Sequence, residues 1–159
     1  KLILRILTSP ESIELRKGNL SDEEFWKWAQ KQLPKDYDAD LIKTEWCDSY
    51  LIDQDIFRLV KKLHGKYKLI VFSGNIKSRV EYLDEKYGFR KFFNAEVYSF
   101  DYHLSKPDKE FIKAMIAEAR VKPEEILYID DDFRCTAPAC EMGVKTIIYI
   151  DGKIESLYS

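Results

Sequence analysis

Apolar positions in the first third of the chain recur at helical spacing. Phe25, Trp28, Ala29 and Leu33 form one stripe. Ser21-Asp22-Glu23-Glu24 in front of them sets an N-cap hydroxyl ahead of a glutamate, the reciprocal capping box that satisfies two orphan backbone donors. Pro34 ends this helix. Gly18 and Asn19 stop an earlier helical segment that starts near Pro10, where proline's fixed φ suits a first turn. Residues 1–7 also read as helix, and Ile56, Leu59, Val60 and Leu63 make a further stripe that stops at Gly65.

The period then changes. Residues 67–72, YKLIVF, are a short apolar run bounded by Gly65 and by Ser73-Gly74-Asn75, the pattern of a strand buried on both faces. A helix follows with Ile76, Val80, Leu83 and Tyr87 in register and Gly88 as its stop. Residues 95–100 read as a strand, and Pro107 opens a helix with Phe111, Ile112, Met115, Ile116 and Ala119 inward. Residues 126–129 are another apolar strand, ending in Asp130-Asp131-Asp132. A short helix to Met142-Gly143 leads to a last strand over residues 146–150. This alternation predicts right-handed βαβ units and an α/β fold with a Rossmann-like parallel sheet core over residues 65–159. A small α-helical domain over residues 1–64 precedes it.

Composition narrows the function classes. The chain has 159 residues, 45% of them hydrophobic, which is the range of one ordered globular domain. Twenty-six Lys and Arg against 28 Asp and Glu leave a net charge of -2, against a nucleic-acid partner or an anionic membrane held by bulk charge. No apolar run is long enough to span a bilayer, and KLILRIL is too short for a signal peptide. The three cysteines, Cys47, Cys135 and Cys140, have neither CxxC spacing nor a nearby histidine, so buried inert thiols in a reducing, cytoplasmic setting are expected.

In a parallel α/β sheet, functional groups gather where strands end and helices begin. Ser73-Gly74-Asn75 supplies a hydroxyl, a permissive glycine and an amide at a helix N-terminus, where free N–H groups attract an anion. Lys106-Pro107 places a cation ahead of the next helix. Asp130-Asp131-Asp132 sets three carboxylates side by side, which repel unless a cation or hydrogen-bond donors hold them. Singly, Ser73 reads as an N-cap, Lys106 as a surface lysine and Asp132 as another cap. Together they point to a phosphate gripped by Ser73 and Lys106 and a divalent metal held by the acids.

FSGN, SKPDKEFI and ILYIDDDFRCTAPACEMGVKTI, in that order, resemble motifs II, III and IV of the haloacid dehalogenase-like hydrolases, over a stretch from about residue 11 to residue 150. GNLSDEEFW resembles a signature in the helical cap of that family's subgroup I, which makes residues 1–64 the cap. The resemblance implies that Ser73 hydrogen-bonds the transferring phosphoryl group, with Gly74 and Asn75 beside it in the phosphate-binding loop. It implies that Lys106 neutralises that group and that Asp131 binds Mg²⁺ with Asp130 assisting. Phosphoryl transfer is mainly positioning and neutralisation of oxygens, so these residue types suit it. Cys135 stands where the subgroup usually carries Asn or Asp, which removes one outer contact near the metal.

The resemblance also implies a nucleophile, in an Asp-x-Asp motif after a first strand at the centre of the sheet. No aspartate precedes Asp22. With residues 1–7 read as cap helix, that motif is expected upstream of Lys1. The function implied is a Mg²⁺-dependent phosphatase for a small phosphorylated metabolite, with Trp26, Trp46 and Tyr50 as candidate cap lining. Two alternatives stay open: a dehalogenase or epoxide-hydrolase-like enzyme, and a non-catalytic binding module. Oligomeric state is open too, with Trp26 a candidate for an interface.

Overall fold

The computed structural model describes residues 1–150 and, for its backbone, the strand Lys153–Ser156. The chain divides into two compact units, Lys1–His103 and a second that begins at Leu104. Among the described residues no helix is long and apolar enough to cross a membrane.

The first unit opens with five helices: α1 (Leu2–Leu7), α2 (Pro10–Arg16), α3 (Asp22–Gln32), α4 (Ala39–Asp48) and α5 (Gln54–Leu63). The expected start signals are in place. Pro10 occupies the first turn of α2, with Ser9 accepting from the Ser12 N–H. Ser21 and Glu24 close the capping box of α3, with Ser21 N donating to Glu24 Oε2 at 2.9 Å. Helix α4 carries no marked stripe, since only Ala39 and Cys47 are buried on it. It is fixed instead by the Asp38 cap and by Gln30, whose side chain bonds Tyr37 O at 2.9 Å and Ala39 N at 2.8 Å. Ile6, Leu15, Phe25, Trp26, Ala29, Leu33, Ala39 and Ile76 form one continuous apolar core.

The same unit continues through β1 (Ile70–Ser73), α6 (Lys77–Tyr87), β2 (Ala95–Tyr98) and the single-turn α7 (Ser99–Tyr102). Strands β1 and β2 pair in parallel, Ile70 opposite Ala95. Strand β1 starts three residues later than the apolar run, because the Leu69 N–H is taken by Asn94 Oδ1 at 2.8 Å. It is half-buried along its length, not buried on both faces, as befits a two-stranded ladder. Gly18 is required by two constraints at once: its φ is +71°, and a Cβ there would sit 2.5 Å from the Phe100 carbonyl oxygen.

The second unit holds α8 (Lys109–Ala119), β3 (Leu127–Asp130), α9 (Phe133–Glu141), β4 (Lys145–Ile150) and β5 (Lys153–Ser156). Strands β3 and β4 are parallel, with Leu127 opposite Lys145; β5 returns antiparallel to β4, an addition the βαβ pattern does not contain. Phe111, Ile112, Met115 and Ala119 of α8 are buried as expected, with Tyr128, Ala139, Val144 and Ile148. Pro107 lies just ahead of α8, and Asp108 is its N-cap. Among the described residues the strands make two ladders, β1–β2 and β3–β4–β5, so β1 and β3 each keep one edge without a strand partner.

Candidate functional site

In the first unit, Ser73 ends β1 and Ile76 is the N-cap of α6. Ser73 is therefore not the cap that its residue type alone would suggest. Its hydroxyl has no hydrogen-bond partner among the described residues. No side chain caps α6, which leaves first-turn N–H groups pointing out of the helix end. Asn75 holds the loop: its Oδ1 accepts from Ile76 N at 2.9 Å and from Arg79 Nη1 at 3.2 Å. Ser99 Oγ ties the loop to α2, lying 2.6 Å from Arg16 O and 3.1 Å from Asn75 O.

In the second unit, the Lys106 ammonium lies 2.6 Å from Asp130 Oδ2, with both side chains largely buried. Tyr128 donates its hydroxyl to the same oxygen at 2.6 Å, and Asp132 N donates to Oδ1 at 2.9 Å. Burial raises the Asp130 pKa, but the Lys106 charge and the hydrogen bonds from Lys106, Tyr128 and Asp132 outweigh it, so Asp130 is held below the ordinary carboxylate range. Tyr128 is pushed upward by burial and by its bond to Asp130, which keeps it a donor.

The three aspartates have separate surroundings. Asp132 caps α9 through Arg134 N at 2.9 Å and pairs with the Arg134 guanidinium at 2.6 Å. Asp131 is exposed and has no hydrogen-bond or ion-pair partner among the described residues. Donors thus hold two of the three carboxylates, and among the described residues no group of three His, Cys, Asp or Glu side chains is arranged around a metal position. Cys135 is buried, and burial raises its pKa, so it remains a neutral thiol.

The candidate aromatics divide as well. Trp26 is buried, edge-on to Phe25 and to Trp46, and is a core residue, not a lining or interface one. Trp46 and Tyr50 instead face Arg79, whose guanidinium carbon is 3.8 Å and 4.1 Å from their ring centres. Arg79 escaped the sequence pattern. Its only signal is a position beside Val80 on the inward side of α6, where an arginine ordinarily reads as solvated.

The family model for haloacid dehalogenase-like hydrolases matches residues 7–149. The chain belongs to that family. An uncharacterized protein of Dictyostelium discoideum is 37% identical to it, over 96% of this chain and 79% of that protein. A HAD-family enzyme of Bacteroides thetaiotaomicron, crystallised with magnesium and inorganic phosphate, superposes with a TM-score of 0.80 at 20% identity, covering 96% of this chain and 86% of that one. The L-2-haloacid dehalogenase of Xanthobacter autotrophicus superposes with a TM-score of 0.65 at 16% identity, covering 91% and 62%. These likenesses carry the haloacid dehalogenase-like fold, and they span a phosphate complex and a dehalogenase alike.

Proposed function

We propose that this haloacid dehalogenase-like hydrolase is a Mg²⁺-dependent phosphatase for a small phosphorylated metabolite. The observation that carries the reading is the contrast between neighbours at the end of β3: Asp130 is charge-balanced by Lys106, while Asp131 presents an open carboxylate. Dehalogenation of a small acid needs no metal, whereas adjoining carboxylates at a strand end suit one.

The donor set fits magnesium. That ion is commonly held by one or two carboxylates, with water and phosphate oxygens completing its shell. Asp131 would hold it, and Asp130 Oδ1, which accepts a single hydrogen bond, keeps a lone pair on the same side chain. Bound there, the ion would supply positive charge to phosphoryl oxygens. The Bacteroides enzyme crystallised with magnesium and phosphate supports this choice.

Each remaining residue has one task in this reading. The Ser73 hydroxyl donates to a phosphoryl oxygen, and the loop at Gly74 and Asn75 offers the uncapped start of α6 to the anion. Lys106 neutralises charge on the transferring group and keeps Asp130 ionised. The nucleophile in this reading is the first aspartate of the Asp-x-Asp motif that the family resemblance implies. Its carboxylate attacks phosphorus as the bond to the substrate oxygen breaks, and water then hydrolyses the aspartyl-phosphate. The helices of residues 1–64 act as the cap that excludes water and selects the substrate. Free thiols at Cys47, Cys135 and Cys140 accord with a cytoplasmic setting.

Calorimetric titration with inorganic phosphate and with 2-chloropropionate, each with and without Mg²⁺, tests the reading. Phosphate binding that requires Mg²⁺ is the expected result. Binding of chloropropionate alone would favour the dehalogenase, and binding of neither would favour the non-catalytic module.

A further inference from the structure

Arg79 is 1% exposed, yet its Nε and Nη2 have no hydrogen-bond partner. Its Nη1 meets Asn75 Oδ1 at 3.2 Å, and no carboxylate pairs with it among the described residues. Trp46 and Tyr50 lie close against the guanidinium and offset part of its desolvation. Ring faces do not satisfy N–H donors that point outward in the guanidinium plane. The neighbouring Cys47 supplies no charge, because burial raises its thiol pKa. A buried cation without a counter-charge is strongly unfavourable.

The unpartnered edge is the one this chain uses elsewhere for carboxylates. Arg90 grips Glu96 through Nε at 2.8 Å and Nη2 at 2.6 Å, and Arg134 grips Asp132 through the same two nitrogens. In Arg79 the same two nitrogens have no hydrogen-bond partner. A second cation is close: Arg16 Nη1 is 3.4 Å from Gly74 O, its guanidinium lies 5.7 Å from the Trp46 ring centre, and it too lacks a carboxylate partner. Two arginines thus flank the Gly74-Asn75 corner with no protein anion between them.

The corner has room. A Cβ on Gly74 would meet no atom within 4 Å, and its φ lies outside the range that demands glycine. Neither packing nor backbone conformation requires a glycine there, and its absence of a side chain leaves open space against the loop.

We infer that Arg79 and Arg16 form an anion subsite beside Ser73-Gly74-Asn75. It takes a second anionic group of the substrate, so the phosphorylated compounds preferred carry a carboxylate or a second phosphate. The inference rests on the phosphatase reading for the identity of the first group and on the two arginines for the second. A planar guanidinium fork recognises carboxylate and phosphate oxygens bidentately, which gives the subsite its chemical class.

The test is calorimetric titration of the chain with three matched probes: propylphosphonate, 3-phosphonopropionate and propane-1,3-bisphosphonate. At least one two-anion probe is expected to bind about tenfold more tightly than propylphosphonate, the return of one charge-assisted hydrogen-bond pair, and the one that does names the second group. That preference is expected to vanish in Arg79→Gln. Should that variant fold poorly, Arg16→Gln, at a half-buried position, and Gly74→Leu, which fills the open corner, are expected to reduce the preference as well. Equal binding of all three probes by the unmodified chain, or no binding of the three probes and of glutarate alike, would overturn the inference, as would a preference that survives Arg16→Gln and Gly74→Leu. Failure of the phosphatase reading looks different: propylphosphonate would not bind, while glutarate would bind and lose affinity in Arg16→Gln, which leaves the subsite standing.

Discussion

The Lys106 ammonium lies 2.6 Å from Asp130 Oδ2 at the C-terminal end of β3, and Tyr128 donates to the same oxygen. Twenty-four residues separate the two charges in sequence. The pair sets a cation and a carboxylate side by side with little exposure, and the Lys106 charge helps to keep Asp130 ionised. It also leaves the adjoining Asp131 as the carboxylate available for a ligand.

Removing one charge should therefore be costly. Asp130→Asn removes the carboxylate that Lys106, Tyr128 and Asp132 N all hold and is expected to lower stability by about 3 kcal/mol. Lys106→Met should cost less, since Asp130 keeps the donors Tyr128 and Asp132 N. Urea denaturation of the two variants checks the order.

The same pair sets a pH dependence. Asp130 is held below its ordinary range in the folded chain, so its ionised form stabilises the fold. That contribution is complete above the unfolded carboxylate value, about pH 4, and is lost as pH falls through the lower folded value. Melting temperatures of the unmodified chain should fall more steeply below about pH 4 than those of Asp130→Asn. Parallel curves would contradict the assignment.

Two glycines should respond in opposite ways to alanine. At Gly18 a Cβ would meet the Phe100 carbonyl at 2.5 Å with φ at +71°, so Gly18→Ala is expected to destabilise by about 2 kcal/mol. Gly74 has open space and an ordinary φ, so Gly74→Ala is expected to leave stability unchanged or to raise it by about 0.5 kcal/mol. Thermal denaturation of both variants separates a structural glycine from one that leaves room for a ligand.

Legibility followed the range of the interactions. The Ser21–Glu24 capping box and the Gly88 stop of α6 are local, and both stand where the sequence signals put them. So are the strand ends that display Ser73 and Asp130. Helix α4 was not legible, because few of its side chains are buried and its position depends on hydrogen bonds from Gln30. Arg79 was hidden for the same reason: it is buried against Trp46 on α4 and Tyr50 just beyond it. The acidic triplet showed its charge but not its division of labour, since Lys106 and Arg134 reach it through side-chain geometry.

Residues 1–159 carry no aspartate ahead of Asp22 to act as nucleophile, so this polypeptide is expected to bind phosphate without hydrolysing phosphate esters. Mg²⁺-dependent turnover by it, measured as release of inorganic phosphate, would place the nucleophile within these residues.

The central claim is a magnesium-assisted phosphate site that depends on Asp131. Its most direct test is the affinity of the chain for inorganic phosphate, by calorimetry, in Mg²⁺ and then in EDTA, for the unmodified protein and for Asp131→Asn. The predicted result is a loss of about tenfold or more on chelation, with Asp131→Asn already as weak in Mg²⁺ as the unmodified chain is in EDTA. Phosphate affinity that neither chelation nor Asp131→Asn alters would contradict it.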